Sequence, residues 1–317
     1  MATSGTVTFS VTEADIMRDA LESIGYLDPA EAIDAADILT ARRKLNMIVK
    51  QWTAQLDFAP GLKMWTRRKA YLFLQADQSV YSLGPSGDNA TESYVSTTLA
   101  ANAALGAGTV TVASATSIAS ADYIGVLLDS GAIHWTTVNG APAGAVVTLT
   151  AVLTGAAASG NRVFAYTTKM RRPFDIESGV RRDTSGSDTP VDVNMSLHEY
   201  EAIPTKSSEG SPARLYFEAQ RTNAKVYLDC VPEDCTQVLR LSHLSYIEDF
   251  SALTDDADFP AEWARALSAQ LAMDLCLPFG RPVPQALPGI LAESLAMARK
   301  AYPETSVLEY QTDPDEY

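Results

Sequence analysis

Three histidines and three cysteines are the residues of this chain best suited to metal or nucleophilic chemistry: His134, His198, His243, Cys230, Cys235 and Cys276. The histidines lie far apart, and no pair has metal-ligand spacing. Cys230 and Cys235 stand five apart with no matching second pair, so the spacing does not describe a zinc site. Asp255, Asp256 and Asp258 cluster ahead of Pro260. They could hold a cation, but the glycine and distal glutamate of a calcium loop are missing. Acids ahead of a helix also complement its dipole, which is the plainer reading. Nucleophile elbow, phosphate loop, dinucleotide glycine fingerprint and H-E-x-x-H helix are all absent from the sequence. A glycosidase needs only two carboxylates at the right distance, and 39 acidic residues single out no pair. The chemistry points to a protein that is not an enzyme and needs no cofactor or metal.

Charge sets the next limit. The net charge is -15 and the pI is near 4.6, so the chain repels nucleic acid at long range. That balance argues against sequence readout of DNA but leaves room for an acidic channel wall along which DNA slides. The hydrophobic fraction of 46% belongs to a globular protein. The first twenty residues show no basic region followed by an apolar stretch, so no secretory leader is expected. No run approaches the roughly eighteen apolar residues of a membrane span, so no membrane anchoring is expected. Three cysteines fit a reducing cytosol better than a disulfide framework.

Both ends read as helix. Thr12 opens T-E-A-D, with Asp15 at the capping-box position, and Ile16, Ala20 and Ile24 recur on one face before Gly25. A longer helix is predicted from about Asp34 to Leu56, with Ile38, Leu45, Ile48, Trp52 and Leu56 as its apolar stripe. Arg42, Arg43, Lys44 and Lys50 fall on its wetter faces. Near the other end Pro260 marks a helix start, and Trp263, Leu267, Leu271 and Leu275 follow at intervals of four. A last helix is predicted from near Pro288, with Leu291, Leu295, Ala298 and Tyr302 on one face.

Between the ends the period shortens to two. KAYLFLQ and SVYSL read as a hairpin about Ala76-Asp77-Gln78. No Lys or Arg occurs between Lys69 and Arg162, and TVTV, DYIGVLL, AIHWTTV, VVTLTAVL and RVFAYTT read as the strands of an inserted β domain. From Arg172 to about Pro212 the chain reads as a long polar loop or interaction arm. ARLYFEA, AKVYLDCV and QVLRLSHLSYI restore the strand pattern.

Four stretches carry a resemblance when taken in order: ALESIGYLDPAE with RRKLNMIVKQW, then MRRPFDI, then EYEAIPTKSSEGSPARLYF, then DFPAEWARALSAQLAMDL. Within them stand Leu45, Asn46, Trp52, Arg172, Pro173, Tyr200, Lys206, Gly210, Pro212, Phe259, Trp263 and Leu267. Together they resemble the head-to-tail adaptor (connector) family of short-tailed phages, which includes tail accessory factors that stabilise packaged DNA. The resemblance implies a helical bundle that assembles with itself as a ring, typically of twelve copies. Such a ring docks on the portal protein, extends the DNA channel, retains the genome without reading it and offers a platform to tail or nozzle proteins. It implies a place in the virion at the head–tail junction after assembly in the host cytoplasm.

The expected fold is α+β: a helical bundle core with a peripheral β-sheet and an inserted small all-β domain. The expected divisions are 1–93 (helices and hairpin), 94–168 (insertion), 169–302 (loop, strands and C-terminal helices) and 303–317 (acidic arm). Leu45, Trp52, Trp263 and Leu267 are the expected core. Val307, Leu308, Tyr310 and Tyr317 are the expected anchors of a portal-docking arm. Arg181, Arg182, Asp183 and Asp188 mark a loop expected to meet the neighbouring subunit or the tail. Two rivals are a tail-associated cell-wall hydrolase, which would need a carboxylate of strongly raised pKa in a cleft, and a host-glycan-binding module. The latter would need exposed aromatics on the insertion, with Trp135 and Tyr123 the candidates.

Overall fold

Thr12 and Asp15 cap one another's backbone, as the T-E-A-D spacing requires, and start α1 (Glu13–Ser23). Gly25, at φ +64°, lets the chain reverse, with Gly25 N–H donating to Glu22 O and Tyr26 N–H to Leu21 O. The computed structural model describes residues 5–6, 9–54 and 65–301. The chain divides into two units: residues 1–66 with 246–317, and residues 67–245.

The first unit is helical. Helix α2 (Ala35–Ala54) follows α1; after the second unit come α3 (Ala264–Cys276), entered through a 3-10 turn at Ala261–Trp263, and α4 (Leu287–Ala301). Ile16, Met17 and Leu21 of α1, Leu45, Ile48 and Val49 of α2, and Leu267, Leu271 and Leu275 of α3 are all buried. Trp263 is 0% exposed and Trp52 6%, their rings meeting edge to face at 5.7 Å. Alanines at 266, 269 and 272 let the helices approach closely.

The segment that returns from the second unit is pinned by side chains of α2. The Asn46 amide donates to Phe250 O and accepts from Phe250 N–H, each at 2.9 Å. Lys50 donates to Ile247 O at 2.8 Å and pairs with Asp249 at 2.7 Å. The segment in turn closes the start of α1, whose Glu13 and Ala14 amides donate to Asp255 O and Leu253 O.

The second unit is β throughout but for one helical turn at Leu197–Glu201. Its strands in chain order are β1 (Arg67–Phe73), β2 (Val80–Leu83), β3 (Ala90–Thr91), β4 (Val95–Thr98), β5 (Thr109–Thr111), β6 (Tyr123–Leu127), β7 (Ile133–Thr137) and β8 (Val146–Thr148). There follow β9 (Arg162–Tyr166), β10 (Pro173–Arg182), β11 (Asp188–Val191), β12 (Glu209–Gly210), β13 (Leu215–Glu218), β14 (Ala224–Leu228), β15 (Val231–Pro232) and β16 (Val238–Ser245). A five-stranded antiparallel sheet, β11-β10-β16-β1-β3, and a three-stranded one, β13-β14-β2, enclose a core that includes Leu72, Tyr81, Leu83, Leu215, Val226 and Leu241. β12 and β15 form a short parallel pair.

The expected helical-bundle core with a peripheral sheet is overturned. Among the described residues strand outweighs helix, 30% against 24%, and is spread over five sheets. The largest single miss is residues 172–212, read as a loop. Ten of them form β10, which pairs with β16 along its length. Two register shifts in that pairing, at Pro173/Asp175 and Ile176/Ser178, place Pro173, Ile176 and Gly179 inward at intervals of three. A bulged strand therefore does not alternate in sequence. The predicted hairpin at Ala76-Asp77-Gln78 is also corrected. The chain turns there, with Asp77 at φ +61°, but β1 pairs with β16 and β3 while β2 pairs with β14. The turn is a corner between two sheets.

Nested inside this unit, residues 95–166 make a lobe of their own. The sheet β4-β9-β6-β7 and the pair β5-β8 close over Leu99, Val110, Ile124, Val126, Val147 and Val163. Turns at Gly131 (φ +88°) and Gly140 (φ +80°) use backbone that only glycine adopts cheaply. Val95 and Ala165 face each other across β4 and β9, so the lobe leaves and re-enters through one neck. Replacing 96–164 by a two-residue turn should leave the helical unit folded, with its far-UV helical signal unchanged. A global loss of helix would show that the lobe is integral to folding.

Candidate interaction surfaces

The side chains with chemical potential are mostly spent on structure. His134 Nδ1 lies 3.1 Å from Thr154 Oγ1 inside the lobe. His243 is fully buried in β16, and burial pushes its pKa down, so it is neutral near pH 7. His198 lies on the single helical turn and is exposed. Burial, followed by neighbouring aspartates, pushes the Cys230 and Cys235 thiols up to about 11, which leaves them poor nucleophiles. Among the described residues no group of three or more His, Cys, Asp or Glu could hold a metal ion. Nor is any helix among them long and apolar enough to cross a membrane.

The acidic cluster ahead of Pro260 turns out to build a loop. The Asp255 carboxylate accepts from the Ser251 and Ala252 amides and from Ser251 Oγ, each at 2.8 Å, and these bonds hold its pKa below the usual range. Asp258 accepts from the Glu248 amide at 3.3 Å. Pro260, the N-cap of the 3-10 turn, receives no side-chain cap. Asp255 and Asp258 thus use their carboxylates within the loop itself.

The segment from Arg181 to Pro190 is the tip of the β10–β11 hairpin. Arg182 donates from Nε and Nη2 to the two Asp188 oxygens at 2.7 and 2.8 Å, and Arg240 joins the same carboxylate at 3.0 Å. The pair holds the Asp188 pKa down and the Arg182 pKa up. Asp183 accepts from Ser185 Oγ and from the Ser185 and Ser187 amides, which closes the turn and lowers its pKa. Arg181 donates to Pro212 O at 2.7 Å. What the hairpin offers outward is its exposed tip, Thr184 to Ser187.

Two aromatic groups went unrecognised in the sequence. Tyr71, Phe73, Tyr94, Trp135, Phe164 and Tyr166 interlock at 4.9–6.0 Å where the lobe meets β1. Trp135 lies flat on Gly125, where an added Cβ would come within 2.8 Å of the indole. Tyr123 stacks on Tyr166 at 5.0 Å and carries the Lys169 ammonium over its ring at 5.2 Å. Trp135 and Tyr123 are thus engaged with their neighbours. No protein-family model matches the chain, and no curated protein does. The second group, Tyr200, Tyr216 and Tyr227, forms a half-buried ladder at 5.1–6.2 Å on the outer face of β13 and β14. Tyr227 Oη donates to Glu218 at 2.8 Å, which with burial pushes it up to about 12, and Lys206 sits 5.0 Å over Tyr200. Cross-strand register could have revealed it, because Tyr216 and Tyr227 are direct partners.

Exposed large apolar side chains occur on both units, Leu105 and Val152 of the lobe among them. Leu39 is 66% and Met47 59% exposed on α2, Leu277 90% just after α3, and Val283 and Met297 lie open farther on. A groove of about 630 Å³ opens between α1, α3 and α4, lined in part by Asp19, Glu22, Arg265 and Ser268. Burial, then Glu22 and Asp15, raise the Asp19 pKa. The expected arm anchors Val307, Leu308, Tyr310 and Tyr317 lie outside the described residues.

Proposed function

We propose that this chain is a structural subunit of a tailed-phage virion, a head-to-tail adaptor that assembles as a ring of about twelve copies beneath the portal and works by interface burial, without turnover. The observation that supports it best is the set of exposed large apolar side chains on two separate stretches of the helical unit, Leu39 and Met47 on α2, and Leu277, Val283 and Met297 around α3 and α4. Where such side chains adjoin in one patch, that patch is commonly the face a partner covers. Two different contact stretches on one subunit are what a head-to-tail ring needs. The resemblance fits the same picture, since Asn46, Arg172, Lys206 and Trp263 hold the fold together instead of lining a site.

In this reading Val307, Leu308, Tyr310 and Tyr317 anchor an acidic arm on the portal, and the tip of the Arg181–Pro190 hairpin meets a neighbouring subunit or a tail protein. The acidic surface lets packaged DNA pass without readout. Truncation after Tyr302 should leave a folded, soluble subunit that no longer stays on portal in a pull-down. Full-chain binding should also weaken between roughly 0.1 M and 1 M salt, as the screening length falls from about 10 Å to about 3 Å. Equal portal binding by the truncated chain would end the arm assignment. The hydrolase reading draws on Asp19 and its groove; loss of peptidoglycan clearing in Asp19→Asn would favour it, and no clearing by the full chain would dismiss it.

A further inference from the structure

Helix α2 is cationic in an acidic chain. It carries Arg42, Arg43, Lys44 and Lys50 against one acid, Asp37. Two of the cations are spent within the unit, Arg42 on Glu13 and Lys50 on Ile247 O and Asp249. Arg43 and Lys44 have no ion pair or hydrogen bond among the described residues. At ~100° per residue Arg43 falls in the middle of the outward face, with Leu39 one turn before it and Met47 one turn after. A shallow trough beside this stripe is lined by Arg43, Met47, Lys50, Gln51, Asp249 and Asp274. Of its two acids, Asp249 is paired with Lys50, whereas Asp274 accepts from the neutral Gln270 amide and keeps its charge at the trough's edge. The stripe itself presents apolar, cation, apolar, with Arg43 and Lys44 in no ion pair among the described residues.

The chain contains a segment of matching chemistry. Residues 303–317 carry Glu304, Glu309, Asp313, Asp315 and Glu316, no Lys or Arg, and the apolar or aromatic residues Val307, Leu308, Tyr310 and Tyr317. Glu309 stands among Val307, Leu308 and Tyr310, so the segment combines acidic and apolar groups where the stripe combines basic and apolar ones. We propose that residues 303–317 of one copy dock on the Leu39–Arg43–Met47 stripe of the next. Apolar anchors supply the affinity and the charges set register and choice of partner. The proposal rests on the assembling-subunit reading and gives the arm a second address, so that neighbouring copies and the portal compete for it.

Charge exchange in the full-length chain tests it. Arg43→Glu with Lys44→Glu, and separately Glu309→Lys with Asp313→Lys, should each weaken self-association in sedimentation by roughly tenfold or more. All four changes in one chain should restore it. A labelled peptide of residues 303–317 should bind the wild-type chain and lose roughly tenfold in affinity for Leu39→Ser with Met47→Ser, a variant whose circular dichroism should match wild type. Unchanged association after either charge reversal, or a loss that the exchange does not restore, overturns the proposal. Portal pull-down with the same variants separates the two readings. Lost portal capture with unchanged self-association would keep the portal arm and discard the α2 site.

Discussion

Trp263→Ala should destabilise the helical unit by about 3–5 kcal/mol, the usual cost of emptying a large aromatic site in a core. Trp263 is 0% exposed at the entry to α3, and its ring meets the edge of Trp52 at 5.7 Å and 63°. The alanines at 266, 269 and 272 cannot extend into the void, and the helices that would have to collapse are held by the Asn46–Phe250 bracket and the α1 cap. The aromatic pair adds about 0.5–1.5 kcal/mol beyond area. Against a total of about 5–15 kcal/mol the loss is large. Urea unfolding should show a lower midpoint at unchanged slope. Trp52→Ala should show a similar direction. Trp263→Phe should be much milder, because the indole Nε1 has no hydrogen-bond partner among the described residues to lose. A shift below about 1 kcal/mol for Trp263→Ala would mean that the helices around it repack freely.

The ends of the chain were legible because local rules coincide there with the tertiary outcome. The T-E-A-D box, Gly25, Pro260 and the four-residue spacing from Trp263 each act within one helix, and each is seen in the structure. The strands of the lobe were legible for the same reason, since glycine turns separate short alternating runs. What stayed hidden depends on partners distant in sequence. β10 hides its alternation behind two bulges, and its partner β16 lies about sixty residues on. Ala76-Asp77-Gln78 has turn chemistry, but only the pairings of β1 with β16 and β2 with β14 show that it turns a corner. The acidic run at Asp255 read most plainly as acids complementing a helix dipole, with a cation site as the rival. Its hydrogen bonds to Ser251 and Ala252 belong to a loop that no motif describes. Arg42 read as a surface cation because its neighbours Arg43 and Lys44 are cations too.

Arg42→Ala should cost about 3–5 kcal/mol, the penalty for leaving a buried charge without its partner. The Glu13 side chain is 0% exposed at the first turn of α1, and Arg42 reaches it from α2 with two parallel hydrogen bonds, Nε to Oε1 at 2.7 Å and Nη2 to Oε2 at 2.8 Å. Those bonds, above all, raise the Arg42 pKa. The two partners are not equivalent. Arg42 keeps 24% of its side chain in water, so it can be rehydrated when Glu13 is removed, whereas Glu13 has no such outlet. The expected order is therefore a larger loss for Arg42→Ala than for Glu13→Ala. Arg42→Lys should recover only part of the loss, because a point charge cannot match both carboxylate oxygens. Replacing both residues together, Glu13→Leu with Arg42→Met, removes the charge and its desolvation cost at once and should come close to wild type. A double-mutant cycle in urea, read by far-UV circular dichroism, measures all four corners. Equal costs for the two single changes would show that water reaches Glu13 in solution. A double variant as unstable as Arg42→Ala would show that the pair contributes more than charge compensation.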